Sequence, residues 1–303
     1  MLLRQALWLS GSFAPVAKNI VKGRRPMTAD CHIHMVLDGI NWRSSIARHQ
    51  ICPDGILIQK TLARYQELGY TYLRDGGDRW GVGAMARKHA PEYGITYRTP
   101  LSPLCKAGHY GNFIGTPYSS MEEYAKLVVQ AKSDGADFIK IMVSGLMDFD
   151  RYGVLTEPGL SPHEIRELIH IAHQEGMAVM AHANGAKTVE AAAAAGVDSI
   201  EHGAYLDPDA LAAMEEAGTV WVPTLSTIGN LRGTGRFSES AVTQILDSAL
   251  ENLSQYKGFV APGTDAGAWA VPHGIDTEDT LLALAGITPL RLEQGIASIK
   301  ATF

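Results

Sequence analysis

Hydrophobic and polar positions along the chain change their period repeatedly from about residue 28 onward. Short apolar runs alternate with longer segments whose apolar residues recur at helical spacing. The run at residues 138–143, for example, precedes a helix that Ser161 should cap, with Pro162 and Glu164 in its first turn. Strands and helices that alternate in this way are typical of an α/β protein with a parallel sheet.

The pattern predicts eight strands and a single (β/α)8 TIM barrel. A chain of 303 residues with 46% hydrophobic content is long enough to bury one such core. We expect residues 1–27 to be an N-terminal extension and residues 28–303 to be the barrel, with no second domain. The loops that we expect are a polar one through Asn41, Trp42 and His49 and a long one rich in Gly and Pro at residues 100–117. The predicted strands are residues 28–35, 71–75, 95–99, 138–143, 177–182, 198–202, 220–223 and 259–262.

Composition excludes several classes of partner. The formal net charge of -6 leaves no general basic field for nucleic acid, and no later apolar run approaches the roughly 20 residues of a membrane span. Three cysteines without a pattern indicate a reducing, cytoplasmic compartment without disulfides. Residues 2–8 resemble a signal peptide only weakly. We therefore expect a small-molecule substrate as the partner; the sequence leaves open whether the chain forms a homo-oligomer.

Residues with metal-binding side chains lie at the ends of several predicted strands. Period-2 alternation points His32 and His34 to the same side of the first strand, where two imidazoles can bind one cation. The carboxyl ends of parallel barrel strands meet at one face, so residues far apart in sequence should converge there. Histidines with a carboxylate suit a divalent cation, zinc above all. The predicted set is His32, His34, Lys140, His182, His202 and Asp265.

Lys140 is the exceptional member of this set. A protonated amine beside a dication is strongly disfavoured, so the site should hold Lys140 neutral or convert it chemically. A neutral amine can capture carbon dioxide as a carbamate, whose two oxygens could bridge two metals. Two alternatives remain: a metal-free Schiff-base lyase that uses Lys140, which leaves four histidines unexplained, and a barrel that binds metal without turnover.

Five motifs surround the residues of this set. They are Asp30-Cys31-His32-Ile33-His34, Phe138-Ile139-Lys140-Ile141-Met142, Ala181-His182-Ala183-Asn184-Gly185, Ser199-Ile200-Glu201-His202-Gly203 and Pro262-Gly263-Thr264-Asp265-Ala266-Gly267. Together they resemble the amidohydrolase superfamily, and within it the prolidase-like and imidazolonepropionase-like branch. The resemblance covers residue 28 to the end of the chain, in the order of the family. It implies a β-sandwich beside the barrel, but the residues outside the barrel leave so little room that we expect the sandwich to be largely absent.

The resemblance also implies a role for each residue of the metal-binding set. The first metal would be bound by His32 and His34, and the second by His182 and His202. A carboxylated Lys140 would bridge the two zinc ions, and Asp265 would be both a ligand and the general acid/base. These are the roles of a binuclear centre.

The implied activity is that of a metal-dependent hydrolase. A metal-activated hydroxide would cleave an amide-type C–N bond in a small peptide, an N-acyl amino acid or a carbamate. A mononuclear hydrolase of a cyclic amide, as in imidazolonepropionase, or of a lactone is the alternative.

Candidate substrate contacts lie outside the metal-binding set. His109 and Tyr110, in the long loop, could bind a carboxylate or the substrate carbonyl oxygen. Arg74, at the end of the second strand, is either a carboxylate clamp or the structural partner of Asp75, and we favour the structural role. Met142 and Trp269 are expected in the pocket wall. The full set of candidate contacts is His109, Tyr110, Arg74, Tyr205 and His273.

Overall fold

Parallel strands alternate with helices over most of residues 27–303, the part of the chain that this computed structural model describes. One sheet has the order β1-β2-β3 and the other has the order β5-β4-β6-β7-β8-β9. The strands are β1 (Ala29–Ile33), β2 (Tyr72–Asp75), β3 (Thr96–Arg98), β4 (Leu104–Lys106), β5 (Thr116–Tyr118), β6 (Ile139–Met142), β7 (Val179–Ala183), β8 (Ser199–His202) and β9 (Val220–Val222). All pairings between these strands are parallel, which confirms the predicted α/β class.

The helices follow the strands closely in sequence. Their ends carry the predicted caps: at Ser161 the side chain accepts from Glu164 N, and Glu164 completes a capping box. The helices are α1 (Trp42–His49), α2 (Gly55–Glu67), α3 (Val82–His89), the 3-10 helix Ala90–Tyr93, α4 (Met121–Ser133), α5 (Pro162–Gln174), α6 (Ala186–Ala194), α7 (Pro208–Ala217), α8 (Ser226–Gly229), α9 (Glu239–Gln255), α10 (Thr277–Leu284) and α11 (Pro289–Thr302).

Residues 260–266 connect the two sheets at the position of the eighth predicted strand. Val260 forms a single parallel bridge with Trp221 of β9, and Ala266 forms one with Ile33 of β1. On the opposite side, Asp137 N, just before β6, donates to Thr99 O, just after β3, at 3.0 Å. The eighth strand was therefore predicted at the correct position, but this segment forms single β-bridges instead of a continuous strand ladder.

Two predicted loops contain regular structure. The polar loop after β1 forms α1, because the Asn41 side chain accepts from Arg43 N and Ser44 N and so caps a helix. The long loop at residues 100–117 contains β4 and β5, and β4 pairs with β6. The prediction of irregular structure was wrong in both places, because a helix cap and a distant strand partner outweigh local Gly and Pro content.

Apolar residues on the inward faces of the helices pack against the sheets. In α5, for example, Ile165, Leu168, Ile169 and Ala172 are all fully buried. None of the helices within residues 27–303 is long and apolar enough to span a membrane. The predicted N-terminal extension lies, apart from Met27, outside the described residues, as does the weak resemblance to a signal peptide.

Candidate metal centre

Three side chains form a tight cluster at the carboxyl end of β1. His32 Nε2 lies 3.3 Å from His34 Nε2, and Asp265 Oδ1 lies 3.5 Å and 3.2 Å from these two nitrogens. One ligand atom from each residue falls within 4.8 Å of the others, which suits a single cation. Asp265 Oδ1 and His34 Nδ1 are buried without a hydrogen-bond partner among the described residues. Two nitrogens and one carboxylate oxygen are a donor set that fits a divalent transition metal.

Backbone hydrogen bonds hold Asp265 beside the two histidines. Asp265 N donates to His32 O at 2.7 Å, and His34 N donates to Ala266 O at 2.6 Å. Asp265 itself has a left-handed backbone with φ of 57°, as does His202 with φ of 70°. Residues other than glycine adopt this backbone conformation at a cost in free energy, and such strain is common at functional sites.

A buried ion pair lies behind His32. Glu201 Oε2 is 2.8 Å from His32 Nδ1, within hydrogen-bonding distance. The other carboxylate oxygen of Glu201 accepts from Arg74 at 2.7 Å and from Ser199 Oγ at 2.6 Å. Because Nδ1 of His32 faces a carboxylate, its Nε2 is the nitrogen left to face the cluster. Carboxylates that contact the second nitrogen in this way orient metal-binding histidines.

His182 and His202 line the same cavity, next to the tight cluster but outside it. Their ring centroids are 4.5 Å apart, and the ring of His202 is 5.2 Å from that of His32. His202 Nδ1 lies 2.7 Å from Thr224 Oγ1 and 3.9 Å from Asp265 Oδ2, whereas His182 Nε2 lies 3.2 Å from Gly145 O. The structure thus brings all four predicted histidines to one face of the barrel.

Lys140 extends from β6 into the same cavity. Its side chain is buried, and Nζ has no hydrogen-bond partner among the described residues. Burial lowers the pKa of Lys140 to about 8, against a raising influence of Glu201. A buried amine without a partner is costly unless another group completes its environment, so Lys140 has the properties that modification or metal binding requires.

Burial also keeps His32, His182 and His202 neutral, because it lowers the pKa of each imidazole. It lowers the pKa of His32 to about 4 and that of His182 to about 3, with a smaller contribution from the charge of Lys140 in both cases. For Asp265, burial is the largest influence and raises the pKa, but His32 and His34 together bring it below the ordinary value. Near neutral pH, His32 and His182 therefore offer imidazole lone pairs and Asp265 an ionised carboxylate, the forms that bind metals.

A cavity of about 850 Å³ opens above these residues. Its walls are mainly apolar and aromatic, which is typical of small-molecule sites. Both residues expected in the wall, Met142 and Trp269, line it. The aromatic residues that line the cavity are Trp42, Tyr110, Phe113, Phe149, Phe237 and Trp269.

Among the candidate substrate contacts, Tyr110 lines the cavity. Its ring lies 4.7 Å from the ring of His182, and burial raises the pKa of the phenol, so it stays protonated. His109 Nδ1 instead lies 3.8 Å from Glu157 Oε2. The nitrogens of His273 lie 3.0 Å from Tyr65 Oη and 3.0 Å from Leu37 O. Both ring nitrogens of His273 are thus occupied by the protein itself.

The other two candidate substrate contacts, Tyr205 and Arg74, form hydrogen bonds within the protein. Tyr205 donates to Asp148 O at 3.4 Å, so its hydroxyl is directed to a loop carbonyl. Arg74 is fully buried and donates to Cys31 O, to Ser199 and to Glu201. These bonds remove Arg74 from the candidate carboxylate clamps, and its ion-pair partner is Glu201 rather than the expected Asp75.

Sequence reasoning missed several residues that shape the site. Glu201 and Thr224 orient His32 and His202, and Arg43 and Arg236 line the cavity. One signal was visible, since an acidic residue inside an apolar strand immediately before His202 requires a buried partner. The two arginines carry no comparable signal, because they lie in a region predicted as loop and in a segment between predicted elements.

Comparison with known proteins places the chain in a family. Residues 80–291 match the sequence model described as "Amidohydrolase family". Ochratoxinase of Aspergillus niger is 29% identical over 302 residues, which cover 86% of this chain and 61% of ochratoxinase. The chain therefore spans about 61% of the length of this curated relative.

Solved structures share the fold. The crystal structure of A. niger ochratoxinase superposes with a TM-score of 0.70 at 24% identity, over 89% of this chain and 69% of that one. A Xaa-Pro dipeptidase with bound methionine gives a TM-score of 0.63 at 24% identity, over 91% and 72%. These likenesses support the predicted barrel class. The match to the family model includes Lys140, His182, His202 and Asp265. The chain belongs to the amidohydrolase family.

Proposed function

We propose that this chain is a metal-dependent hydrolase that cleaves an amide-type C–N bond in a small molecule. The observation that carries the proposal is the convergence of His32, His34 and Asp265 within 4.8 Å at the base of a large cavity. Membership of the amidohydrolase family supports hydrolysis of such bonds. Two proteins of similar fold are named as an ochratoxinase and a Xaa-Pro dipeptidase, which also favours amide substrates.

Each residue of the predicted set has a proposed part in the centre. His32, His34 and Asp265 would hold one zinc ion, and His182 and His202 would hold a second. Lys140 would take up carbon dioxide, with loss of a proton, to give a carbamate that supplies two further oxygen ligands. Its lowered pKa and unpartnered Nζ support this assignment, because only the neutral amine reacts.

The chemistry divides between the metal and the residues of the chain. A bound divalent cation polarises a carbonyl and lowers the pKa of water. Asp265, whose Oδ1 lies beside His32 Nε2 and His34 Nε2 at the base of the cavity, is placed to take a proton from the attacking water and pass it to the nitrogen as the C–N bond breaks. The protonated phenol of Tyr110 lies beside His182 and can donate to the substrate carbonyl oxygen.

Asp265→Asn tests the role of the carboxylate. We expect kcat to fall roughly 10²- to 10⁴-fold, because Asn cannot accept the proton. Metal content, measured by elemental analysis, should be retained, since the amide oxygen can still bind. Asp209→Asn, an exposed change on α7, is the matched control. Turnover near that of the wild type in Asp265→Asn would refute the assignment.

Metal content per chain separates the binuclear form from its alternative. We expect about two equivalents in the wild type and fewer in Lys140→Ala, because the bridging oxygens are lost. One equivalent, unchanged by the substitution, would favour a mononuclear hydrolase of a cyclic amide or lactone.

A Schiff-base lyase is the second candidate, since the neutral amine of Lys140 also suits imine formation. Borohydride trapping of a carbonyl compound on Lys140 would favour it.

A further inference from the structure

The turn that follows β9 carries the hydroxyl that contacts His202. Thr224 is fully buried, and its Oγ1 lies 2.7 Å from His202 Nδ1. The backbone of Thr224 is left-handed, with φ of 48°. A β-branched residue rarely adopts this conformation, so neighbouring contacts have to stabilise it. The place of the hydroxyl beside the histidine ring therefore depends on the groups that hold this turn.

Only part of this turn is held by its own hydrogen bonds. Thr224 O accepts from Thr227 N at 3.0 Å and from the Thr227 hydroxyl at 2.8 Å. The amides of Leu225 and Ser226 stand at the start of α8, where the helical turn offers no acceptor for them. Both residues are buried, so leaving these amides unpaired would be costly.

Glu278 of α10 supplies the missing acceptors. Its Oε1 accepts from Leu225 N at 3.1 Å, and its Oε2 accepts from Ser226 N at 2.7 Å and from Ser226 Oγ at 2.9 Å. The side chain of Glu278 is fully buried. Because the two oxygens of one rigid carboxyl bind two successive amides, they fix both the position and the orientation of the turn.

The other end of α8 is held by contacts that do not involve the Glu278 carboxyl. Gly229 packs closely against α10, since an added Cβ would lie 2.7 Å from Leu281 Cδ1. Just after the helix, Asn230 Nδ2 donates to Ala270 O at 2.8 Å. These contacts keep α8 in place, so loss of the Glu278 carboxyl would release mainly the end that carries Thr224.

We propose that Glu278 is a positioning residue for the candidate metal centre, because it holds Thr224 where the hydroxyl orients the ring of His202. Glu278 does not line the cavity, so it would act only through the turn. The inference rests on the proposed function in one respect, the role of His202 as a metal-binding residue. The tautomer of the ring can be measured without metal and without substrate.

Nitrogen-15 NMR of the metal-free protein reads the His202 ring directly, and its signals are assigned by their loss in His202→Gln. We expect the wild type to carry the proton at Nδ1, because Thr224 Oγ1 lies within hydrogen-bonding distance of that nitrogen. Glu278→Ala should shift the ring towards the Nε2–H tautomer, as should Thr224→Val, which removes the hydroxyl itself. Glu278→Gln retains one acceptor oxygen and should lie between the wild type and Glu278→Ala. Thr224→Ser keeps the hydroxyl and should resemble the wild type.

A double-mutant cycle on zinc affinity tests whether Glu278 acts through Thr224. We expect Glu278→Ala and Thr224→Val each to weaken zinc binding roughly 10-fold in competition with a chelator. The double variant should bind zinc no more weakly than Thr224→Val alone. Tyr124→Phe is the matched control, since it removes another buried hydrogen bond, the one to Leu168 O between α4 and α5. It should change neither the ring signals nor the zinc affinity.

Either of two results would overturn the inference while the proposed function stands. Ring signals of His202 that stay unchanged in both Glu278 variants would show that the turn keeps its shape without the carboxyl. Additive losses of zinc affinity in the double variant would show that Glu278 acts by a route other than Thr224. If the wild type binds no zinc, the proposed function fails, and the ring signals alone decide the inference.

Discussion

Single residues decide which nitrogen of each histidine is available in the centre. Nδ1 of His32 faces Glu201, so Nε2 faces His34 and Asp265. His202 has Nδ1 beside Thr224, which leaves its other nitrogen for the cavity. Contacts on the far side of the ring therefore select the tautomer that can bind a metal.

Glu201→Gln tests this selection. We expect the zinc affinity to fall roughly 10- to 100-fold, because a neutral amide no longer holds His32 as the Nδ1–H tautomer. Competition with a chelator, at a temperature below the unfolding transition of both proteins, measures the affinity. Glu190→Gln, on the exposed side of α6, is the control. Unchanged affinity in Glu201→Gln would show that His32 is oriented by other contacts.

The side chains that meet at the base of the cavity could be predicted from the sequence, but those that orient them could not. His32 and His34 share a spacing of two, and the other members of the predicted set lie at strand ends, so strand geometry was sufficient to predict that these side chains converge. The role of Glu201 depends on the register that places it opposite His182 and on the distant Arg74. Such partners are set by tertiary packing, which also explains why Arg74 was assigned the wrong partner.

At the scale of elements, glycines at the ends of strands let neighbouring backbones approach the histidines closely. An added Cβ on Gly76, just after β2, would lie 2.8 Å from His34 Nδ1. On Gly263 it would lie 2.9 Å from His32 Cβ. Both distances are too short for ordinary packing. The backbone at Gly76 therefore restricts the position of the His34 ring, and the backbone at Gly263 restricts that of His32.

Gly76→Ala should therefore displace His34. We expect a weaker zinc affinity and a lower kcat, together with retained helical content, because the clash is confined to the end of β2. Chelator competition and circular dichroism measure the two effects. Gly55→Ala is the control, since its Cβ would meet Met85 Sδ at 3.4 Å, an ordinary contact. Wild-type affinity in Gly76→Ala would mean that His34 can move without loss of binding.

Elements with strong local signals were predicted well. The cap at Ser161 marks the start of α5 as expected, and a similar cap at Asp207 begins α7. The strands β4 and β5 escaped prediction because each has three residues and owes its conformation to a neighbour rather than to an apolar period.

At the scale of the whole molecule, a buried carboxyl connects α10 to the segment after β9. Glu278 accepts from Leu225 N at 3.1 Å and from Ser226 N at 2.7 Å, and the Ser226 hydroxyl donates to it as well. Burial raises the pKa of Glu278 from 4.5 to about 8 despite these donors. The folded protein thus binds this proton more tightly than the unfolded chain.

The sign of the pH dependence follows from that difference. Between about pH 4.5 and pH 8 the folded state holds more protons at Glu278 than the unfolded state, so the free energy of unfolding falls as pH rises. The glutamine in Glu278→Gln cannot ionise, so this variant lacks the pH-dependent contribution to the free energy of unfolding. We expect the stability of the wild type relative to Glu278→Gln to decrease by at least about 1 kcal/mol between pH 5 and pH 8 in urea unfolding. Parallel pH profiles would contradict the raised pKa.

The segment at residues 260–266 has a consequence for how the protein assembles. Thr264 N donates to Asp30 Oδ1 at 2.9 Å across a sequence separation of 234 residues, and Asp265 meets His32 over a similar distance along the chain. Contacts between such remote residues close a very long loop, which makes them late events in folding. During synthesis, His32 and His34 therefore leave the ribosome more than two hundred residues before Asp265. A cation held by all three residues would connect the first strand of the barrel to the segment that closes it, and its binding would stabilise the folded state.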